Sequence, residues 1–355
     1  MPTIRVLVVE DSITVRKRMC EVFSADPDII VMAEAQDGKR AIELCRELRP
    51  DVVTMDMMLP VMTGLAATEY IMAHCPTPIL VVSSSLNRGE LFRTYEALAA
   101  GAVDVLEKPD ADDSDGEWEG RLVSAVKMLS RIKVITHPRA RLRAFEQPHG
   151  YHATGEVHQM PAGRRCQIIA IGASTGGPAA IVEILRALPD ELRIPILLVL
   201  HISEPFGAAF ADWLDGQTKH RVSYARDGES VSSAAGRVIM APPDRHLVVE
   251  AGRLRLTQDP ERYSCRPSVD VLFESVAREF GATATACLLT GMGRDGASGL
   301  LALRTADAIT IAQDEATCIV YGMPREAVLL GAAQRVLPLG EIGPTLASLA
   351  GVSPP

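Results

Sequence analysis

The feature that most constrains the fold is a pattern that occurs twice: short apolar runs without polar alternation, each followed by a segment of helical period. Runs at 4–9, 51–55, 79–82 and 103–106 alternate with segments such as the one carrying Val15, Met19, Val22 and Phe23. Strands that are apolar on both faces must be covered on both faces, and the intervening helices supply that cover, so the pattern predicts a parallel α/β sheet. It recurs at 166–171, 194–200, 283–289 and 306–312. Between the two blocks lie the acidic, turn-rich ADDSDGEWEG, a helix-like stretch at 118–135, and a run without apolar period that reaches 165. We expect two doubly wound parallel-sheet α/β domains, a flavodoxin-like one at 1–120 and a Rossmann-like one at 166–350, joined by a linker at 121–165. The segment GRVIMAPPDRHLVVEAGRLRLTQD, with an Ala251-Gly252 turn, predicts a β-hairpin insertion in the second domain. The 355 residues suffice for each domain to bury its own core.

Composition narrows the possible partners. A net charge of −9 gives no long-range attraction for a nucleic-acid backbone, and no zinc-finger spacing occurs, so no nucleic-acid partner is expected. The seven cysteines (Cys20, Cys45, Cys75, Cys166, Cys265, Cys287, Cys318) stand singly, mostly in apolar or helical runs, as reduced packed thiols do. The N-terminus lacks a basic segment followed by a long apolar stretch, and no run of eighteen uncharged apolar residues occurs. The expectation is a cytoplasmic protein with neither export nor membrane insertion.

In the first domain Glu10 and Asp11 end the first strand and Asp56 ends the third. The carboxyl ends of neighbouring parallel strands face one crevice, so three carboxylates meet there. They repel unless a hard cation joins them, and oxygen ligands with room for waters suit Mg²⁺, which also bridges to a phosphoryl group. Asp56 is then a candidate nucleophile. Ser83 and Lys108 end the fourth and fifth strands with a hydroxyl and an ammonium suited to phosphoryl oxygens. Singly each has a plainer reading, a helix cap or a solvated lysine; five at successive strand ends are harder to dismiss. The segments VLVVEDS, VVTMDMMLPVMTG, ILVVSSS and AGAVDVLEKP closely resemble the response-regulator receiver domain over about 1–120. That resemblance implies phosphorylation of Asp56 by a histidine kinase, with Glu10, Asp11, Asp56 and the Met58 carbonyl around Mg²⁺. Val105 stands where such receivers usually carry a switch aromatic, which argues against an aromatic-flip readout.

In the second domain CQIIAIGASTGGPAAIVEILRALP reads as strand, tight glycine turn and helix, with Pro178 suited to a first helical turn. Gly172, Ser174 and Gly176 spell the G-x-S-x-G of a nucleophile elbow, where the following amides, beginning with Thr175, favour a developing oxyanion. A serine N-cap or a dinucleotide-binding loop would use the same letters. The next strand, IPILLVL, runs into His201 rather than the acidic residue a dinucleotide fold places there, and a histidine suits a general base. His246 is a weaker candidate; His74 and His220 have no companions, and His137, His149, His152 and His158 fall in the linker. Asp295, in the glycine-rich GMGRDGASGL, can orient the imidazole and complete a triad in the order Ser174, His201, Asp295.

With GASTGGP, HISEPFGAAFADWL, RPSVDVLFESVA, LLTGMGRDGA and QDEATCIVYGMPREA, the second domain closely resembles the chemotaxis protein-glutamate methylesterases, the CheB family, from about 167 to 349. The receiver precedes it in that family's order. The resemblance implies that Ser174 attacks a glutamate methyl ester, His201 transfers the proton, Asp295 orients the ring and the Met292 amide binds the oxyanion; glutamine deamidation follows the same chemistry. It implies methyl-accepting chemotaxis receptors as substrate, a CheA-type kinase as phosphodonor, and no cofactor in the catalytic domain. The simplest regulation has the unphosphorylated receiver covering Ser174. Two other classes stay open on the residues alone: a catalytically silent adaptor, and a nucleotide-binding oxidoreductase suggested by the glycine loop.

Overall fold

A computed structural model describes residues 3–84, 87–109, 116–132, 134, 165–202 and 204–352, which fall into two compact units. Most of the expected linker, with its four histidines, lies outside the described residues.

The first unit runs β1 (Ile4–Val9), α1 (Ile13–Ala25), β2 (Ile29–Ala35), α2 (Gly38–Leu48), β3 (Val52–Met55), α3 (Gly64–His74), β4 (Ile79–Ser83), α4 (Arg88–Ala99), β5 (Asp104–Glu107) and α5 (Glu117–Leu129). Its five strands lie in the order β2-β1-β3-β4-β5, all parallel, the flavodoxin-like arrangement. Val6 to Val9 of β1 and all of β3 and β4 are buried, because helices cover both faces. One boundary differs from the sequence reading. Helix α5 crosses position 120, and Trp118, Leu122, Val126 and Leu129 are buried, while Trp118 Nε1 donates to the Glu107 carbonyl at 2.7 Å. Four such side chains at about 1.5–3 kcal/mol each hold the helix on the first core, so 121–129 belong to this unit rather than to a linker.

The second unit runs β6 (Ile168–Ala173), α6 (Gly177–Ala187), β7 (Ile196–Leu200), α7 (Phe210–Asp215), β8 (Arg221–Tyr224), β9 (Arg237–Met240), β10 (His246–Glu250), β11 (Arg253–Thr257), α8 (Val269–Phe280), β12 (Ala284–Leu288), α9 (Ala297–Thr305), β13 (Ile309–Gln313), α10 (Met323–Leu329), β14 (Arg335–Leu337) and α11 (Leu339–Leu349). Seven parallel strands form one sheet in the order β14-β13-β12-β6-β7-β9-β8. The sheet extends past the expected end at 312 to β14, and gains β8 and β9 on its other side. Val238, Ile239 and Met240 of β9, expected in the insertion, are buried beside β7. The hairpin proper is β10 and β11, antiparallel, turned by Ala251 (φ 49°) and Gly252 (φ 68°). Two successive left-handed residues match the twist of a two-residue hairpin, and Gly252 takes one of them without steric cost. Leu247, Val249 and Leu254 of the hairpin share a core with Leu272, Phe273 and Val276 of α8, and the Ser275 hydroxyl accepts from the Val249 amide at 3.0 Å. This anchorage fixes the connection at 258–268, which enters the site described next.

Candidate active site

Two clusters of chemistry-bearing side chains form, one in each unit.

In the first, the β1–β3 pairing and an Asp56 amide bond to the Val9 carbonyl (3.0 Å) bring Glu10 and Asp56 to one sheet edge. Metal-binding oxygens of Glu10, Asp11 and Asp56 lie within 4.8 Å of one another. Gly64 lets the start of α3 pack on the backbone after β3: a Cβ there would stand 1.8 Å from the Asp56 carbonyl oxygen. Lys108 Nζ lies 2.9 Å from Glu10 Oε2 and 2.9 Å from Asp56 Oδ2. Both oxygens are buried and neither receives a well-formed hydrogen bond, so those contacts are chiefly ones of charge. Burial and then the neighbouring Asp56 push the Glu10 carboxyl up to about 7, against the pull of Lys108 and the Ser12 amide. Burial opposes the Lys108 charge, but Asp56 and Glu10 prevail and raise its pKa. Three clustered carboxylates, only two of them faced by the one ammonium, fit a hard divalent cation. The Met58 amide donates to Asp56 Oδ1 at 3.2 Å, which sets its own carbonyl close by in the chain. Ser83 is buried at the end of β4, and its carbonyl accepts from the Lys108 amide at 3.0 Å.

In the second unit β6 pairs Ala173 with Leu200 of β7, and the His201 amide donates to the Ala173 carbonyl at 3.0 Å. Ser174 and His201 are therefore the next residues beyond two paired strand ends, the juxtaposition expected from sequence. Ser174 is half-buried, its amide donates to the Thr290 carbonyl at 3.0 Å, and Gly176 (φ 78°) completes the turn into α6, with Pro178 in its first turn. Gly291 packs on the serine: a Cβ there would meet Ser174 Cβ at 2.7 Å. No L side chain other than hydrogen fits that approach.

His201 Nε2 lies 2.9 Å from Asp295 Oδ2. Asp295 is 2% exposed and receives three further donors: the Ser268 hydroxyl at 2.8 Å, the Val269 amide at 2.7 Å and the Asp270 amide at 3.1 Å. The carboxylate thus sits on the N-terminal turn of α8, where unpaired amides and the helix dipole favour an anion. Burial opposes its charge, but His201, Ser268 and Val269 outweigh burial and hold its pKa below the ordinary carboxylate value. Burial would lower the His201 pKa; Asp295 and Cys265 instead push it up to about 9. With Nε2 committed to Asp295, the lone pair of the neutral ring is on Nδ1.

The oxyanion candidates lie on two loops. Among the described residues no protein group accepts from the Thr175 or Met292 amides. The Met292 loop is braced by 313–323. Gly291 bonds Val320 (3.0 Å), the Gly322 and Met323 amides donate to Gly291 (3.1 and 2.9 Å), and Gln313 Oε1 accepts from the Thr290 amide at 2.9 Å.

Sequence reasoning missed Ser268, the α8 amides and this brace, and ranked His246 low. His246 is fully buried, and its Nδ1 accepts from the Ser268 amide at 3.1 Å, so it supports the group that holds Asp295. The S-V-D of RPSVDVLF, a helix-cap signal, was the available clue. His220 is buried elsewhere, beside β8, and His74 ends α3.

A parallel-sheet unit with an acidic crevice, followed by a second one with a serine and a histidine–aspartate pair at its strand ends, is the class of a receiver-type domain and a hydrolase-type domain in one chain. The profile of the family described as CheB methylesterase matches residues 169–346, and that of the response regulator receiver domain matches 6–114. The chain is 44% identical over 347 residues to "Protein-glutamate methylesterase/protein-glutamine glutaminase 2" of Anaeromyxobacter dehalogenans, covering 98% of this chain and 97% of the relative. It is 43% identical over 350 residues to the protein-glutamate methylesterase/protein-glutamine glutaminase of Nitrosospira multiformis, at 98% and 97% coverage. The crystal structure of the Thermotoga maritima CheB methylesterase catalytic domain matches at 34% identity and TM-score 0.49, over 53% of this chain and 99% of that one. The chain belongs to the CheB methylesterase family and carries its response regulator receiver domain.

Proposed function

We propose that this chain is a phosphorylation-activated protein-glutamate methylesterase that hydrolyses glutamate methyl esters on methyl-accepting chemotaxis receptors, releases methanol, and deamidates glutamine side chains by the same acyl transfer. The observation that carries the reading is the 2.9 Å contact of His201 with an Asp295 carboxylate held by three other donors, one residue past the pairing that brings His201 beside Ser174.

In this reading Ser174 Oγ attacks the ester carbonyl and gives its proton to His201 Nδ1. Asp295 fixes the tautomer and stabilises the imidazolium. The Met292 and Thr175 amides receive the oxyanion. The imidazolium protonates the departing methanol, and a water deprotonated by His201 then releases the glutamate. No cofactor enters these steps.

The receiver is the input. Asp56 accepts a phosphoryl group from a CheA-type histidine kinase, Ser83 and Lys108 bind the phosphoryl oxygens, and Glu10, Asp11, Asp56 and the Met58 carbonyl would hold Mg²⁺. The ion, when bound, neutralises the charge that gathers on the transferring phosphoryl group. Val105 stands where receivers usually carry a switch aromatic, which argues against an aromatic-flip readout. Among the described residues no helix is long and apolar enough to cross a membrane. The enzyme acts in the cytoplasm on the receptors, and the net charge of −9 argues against a nucleic-acid partner.

The test is methanol release from methylated receptor membranes by wild type and Ser174→Ala, each with and without acetyl phosphate and Mg²⁺. The expected result is release by wild type alone, raised by the phosphodonor, with Ser174→Ala slower by about 10⁴-fold or more. No release under any condition would favour the silent adaptor.

A further inference from the structure

The mechanism leaves one close neighbour of the triad unused. Cys265 Sγ lies 3.7 Å from His201 Nδ1. Ligand atoms of His201, Cys265 and Asp295 all fall within 4.8 Å of one another. We propose that His201 Nδ1 and Cys265 Sγ form a binding site for a thiophilic divalent cation, of which Zn²⁺ is the type, and that its occupancy switches the hydrolase off.

Three features carry this assignment. The first is spacing. A tetrahedral zinc with its sulfur at about 2.3 Å and its nitrogen at about 2.0–2.1 Å spans an S···N edge of about 3.6 Å. The observed 3.7 Å matches that edge. The second is orientation. Histidines that bind metals commonly donate the other ring nitrogen to a carboxylate, which fixes the tautomer and strengthens the ligand. Asp295 Oδ2, 2.9 Å from Nε2, does this here, and the other ring nitrogen, Nδ1, is the one 3.7 Å from the sulfur.

The third is fixation with access. Cys265 is tied back to Arg262 by two backbone hydrogen bonds, of 3.1 and 3.0 Å, around Tyr263 and Ser264. Those two residues have φ of 52° and 59°, left-handed values that L residues other than glycine rarely adopt. The tight turn holds the sulfur against the ring instead of letting it swing into solvent. Yet Cys265 is only half-buried and the His201 side chain is 14% exposed, so an ion can reach both atoms. Cys45, Cys166, Cys287 and Cys318, by contrast, are buried.

On binding, the Cys265 thiol gives its proton to solvent and the thiolate coordinates the cation, with no change of oxidation state. The remaining positions go to water. Inhibition follows because the Nδ1 lone pair that accepts the Ser174 proton becomes a metal bond. That consequence rests on the reading of His201 as the general base; the site itself does not.

The experiment uses the full chain with a non-thiol reductant and Co²⁺ as a spectroscopic stand-in for zinc, because thiolate-to-cobalt charge transfer gives a near-ultraviolet band that oxygen sites lack. Wild type and Asp56→Asn should both show the band. It should vanish in Cys265→Ser, and His201→Gln should weaken binding by about tenfold or more. Absence of the band in wild type, or an equal band in Cys265→Ser, overturns the site. In parallel, Zn²⁺ should inhibit methanol release reversibly on chelation, with an inhibition constant about tenfold or more weaker in Cys265→Ser. Equal inhibition of the two overturns the switch. A charge-transfer band in a protein without esterase activity would refute the proposed function while leaving the metal site standing.

Discussion

Asp295 and Glu10 are carboxylic acids at the carboxyl edges of two parallel sheets, exposed to 2% and 1%, yet their protonation equilibria are pushed in opposite directions. Burial opposes the charge of both. Asp295 overcomes it because an imidazole, a hydroxyl and two amides of α8 converge on its two oxygens. Glu10 has the Ser12 amide and a lysine that it shares with a second buried carboxylate, and its carboxyl rises to about 7. Burial therefore does not tell a carboxylate's state; the count and sign of the groups aimed at it do. The first is preorganised to stay charged without help, whereas the second is short of positive charge in the way a cation site is.

The contrast is broken or sharpened by four changes. The largest effect is expected for Asp295→Asn, which keeps the shape and removes the charge. The esterase rate should fall by roughly 10³–10⁴-fold, measured as methanol release from methylated receptors. A loss below about tenfold would make Asp295 a turn residue. Ser268→Ala removes one charge-assisted donor worth about 1.5–3 kcal/mol, so a loss of roughly 10–100-fold in kcat is expected with KM little changed. A change confined to KM would remove Ser268 from the support of the triad.

The pH profile comes next. A base must be neutral to accept a proton, and the His201 pKa is raised from 6.5 to about 9, so kcat/KM should climb through the range up to about pH 9 before levelling. Cys265→Ser should move that limb to lower pH, since the sulfur is one of the groups raising it. A limb at the ordinary value in wild type would mean that the ring is not held as described.

The smallest effect is on stability. The folded pKa of Glu10 lies above its ordinary 4.5, so its contribution is complete below about 4.5 and is lost as the pH rises through about 7. Glu10→Gln should therefore stabilise the receiver above pH 7 without Mg²⁺, by about 1–3 kcal/mol in denaturant unfolding of its transition. It should also abolish the extra stability that Mg²⁺ gives wild type. Unchanged stability in both arms would show that Lys108 already satisfies the crevice.

Much of this was legible in the sequence because parallel strands place their carboxyl ends along one edge. Once VLVVEDS, VVTMDMM and AGAVDVLEKP are read as strands, Glu10, Asp56 and Lys108 must converge, and the same rule sets Ser174 beside His201. Position along a strand is a local property, and local sequence encodes it. Helix α5 was less legible: GEWEGRLVSAVKML has helical period, but only its partners on the first core show that its second half belongs to that unit. Likewise β9 and the hairpin strands are similar short apolar runs, and pairing alone separates a sheet strand from an insertion.

What the sequence by itself determined is thus the two sheets and the residues at their edges, since periodicity and strand polarity fix both. What only the tertiary structure decided is the state of those residues. Ser268, Val269 and Asp270 stand 25 to 27 positions from Asp295, and Cys265 stands 64 from His201. Their effect depends on direction and distance at the scale of a hydrogen bond. No periodicity encodes that geometry; it arises when the hairpin anchors on α8 and carries the connecting segment into the active site.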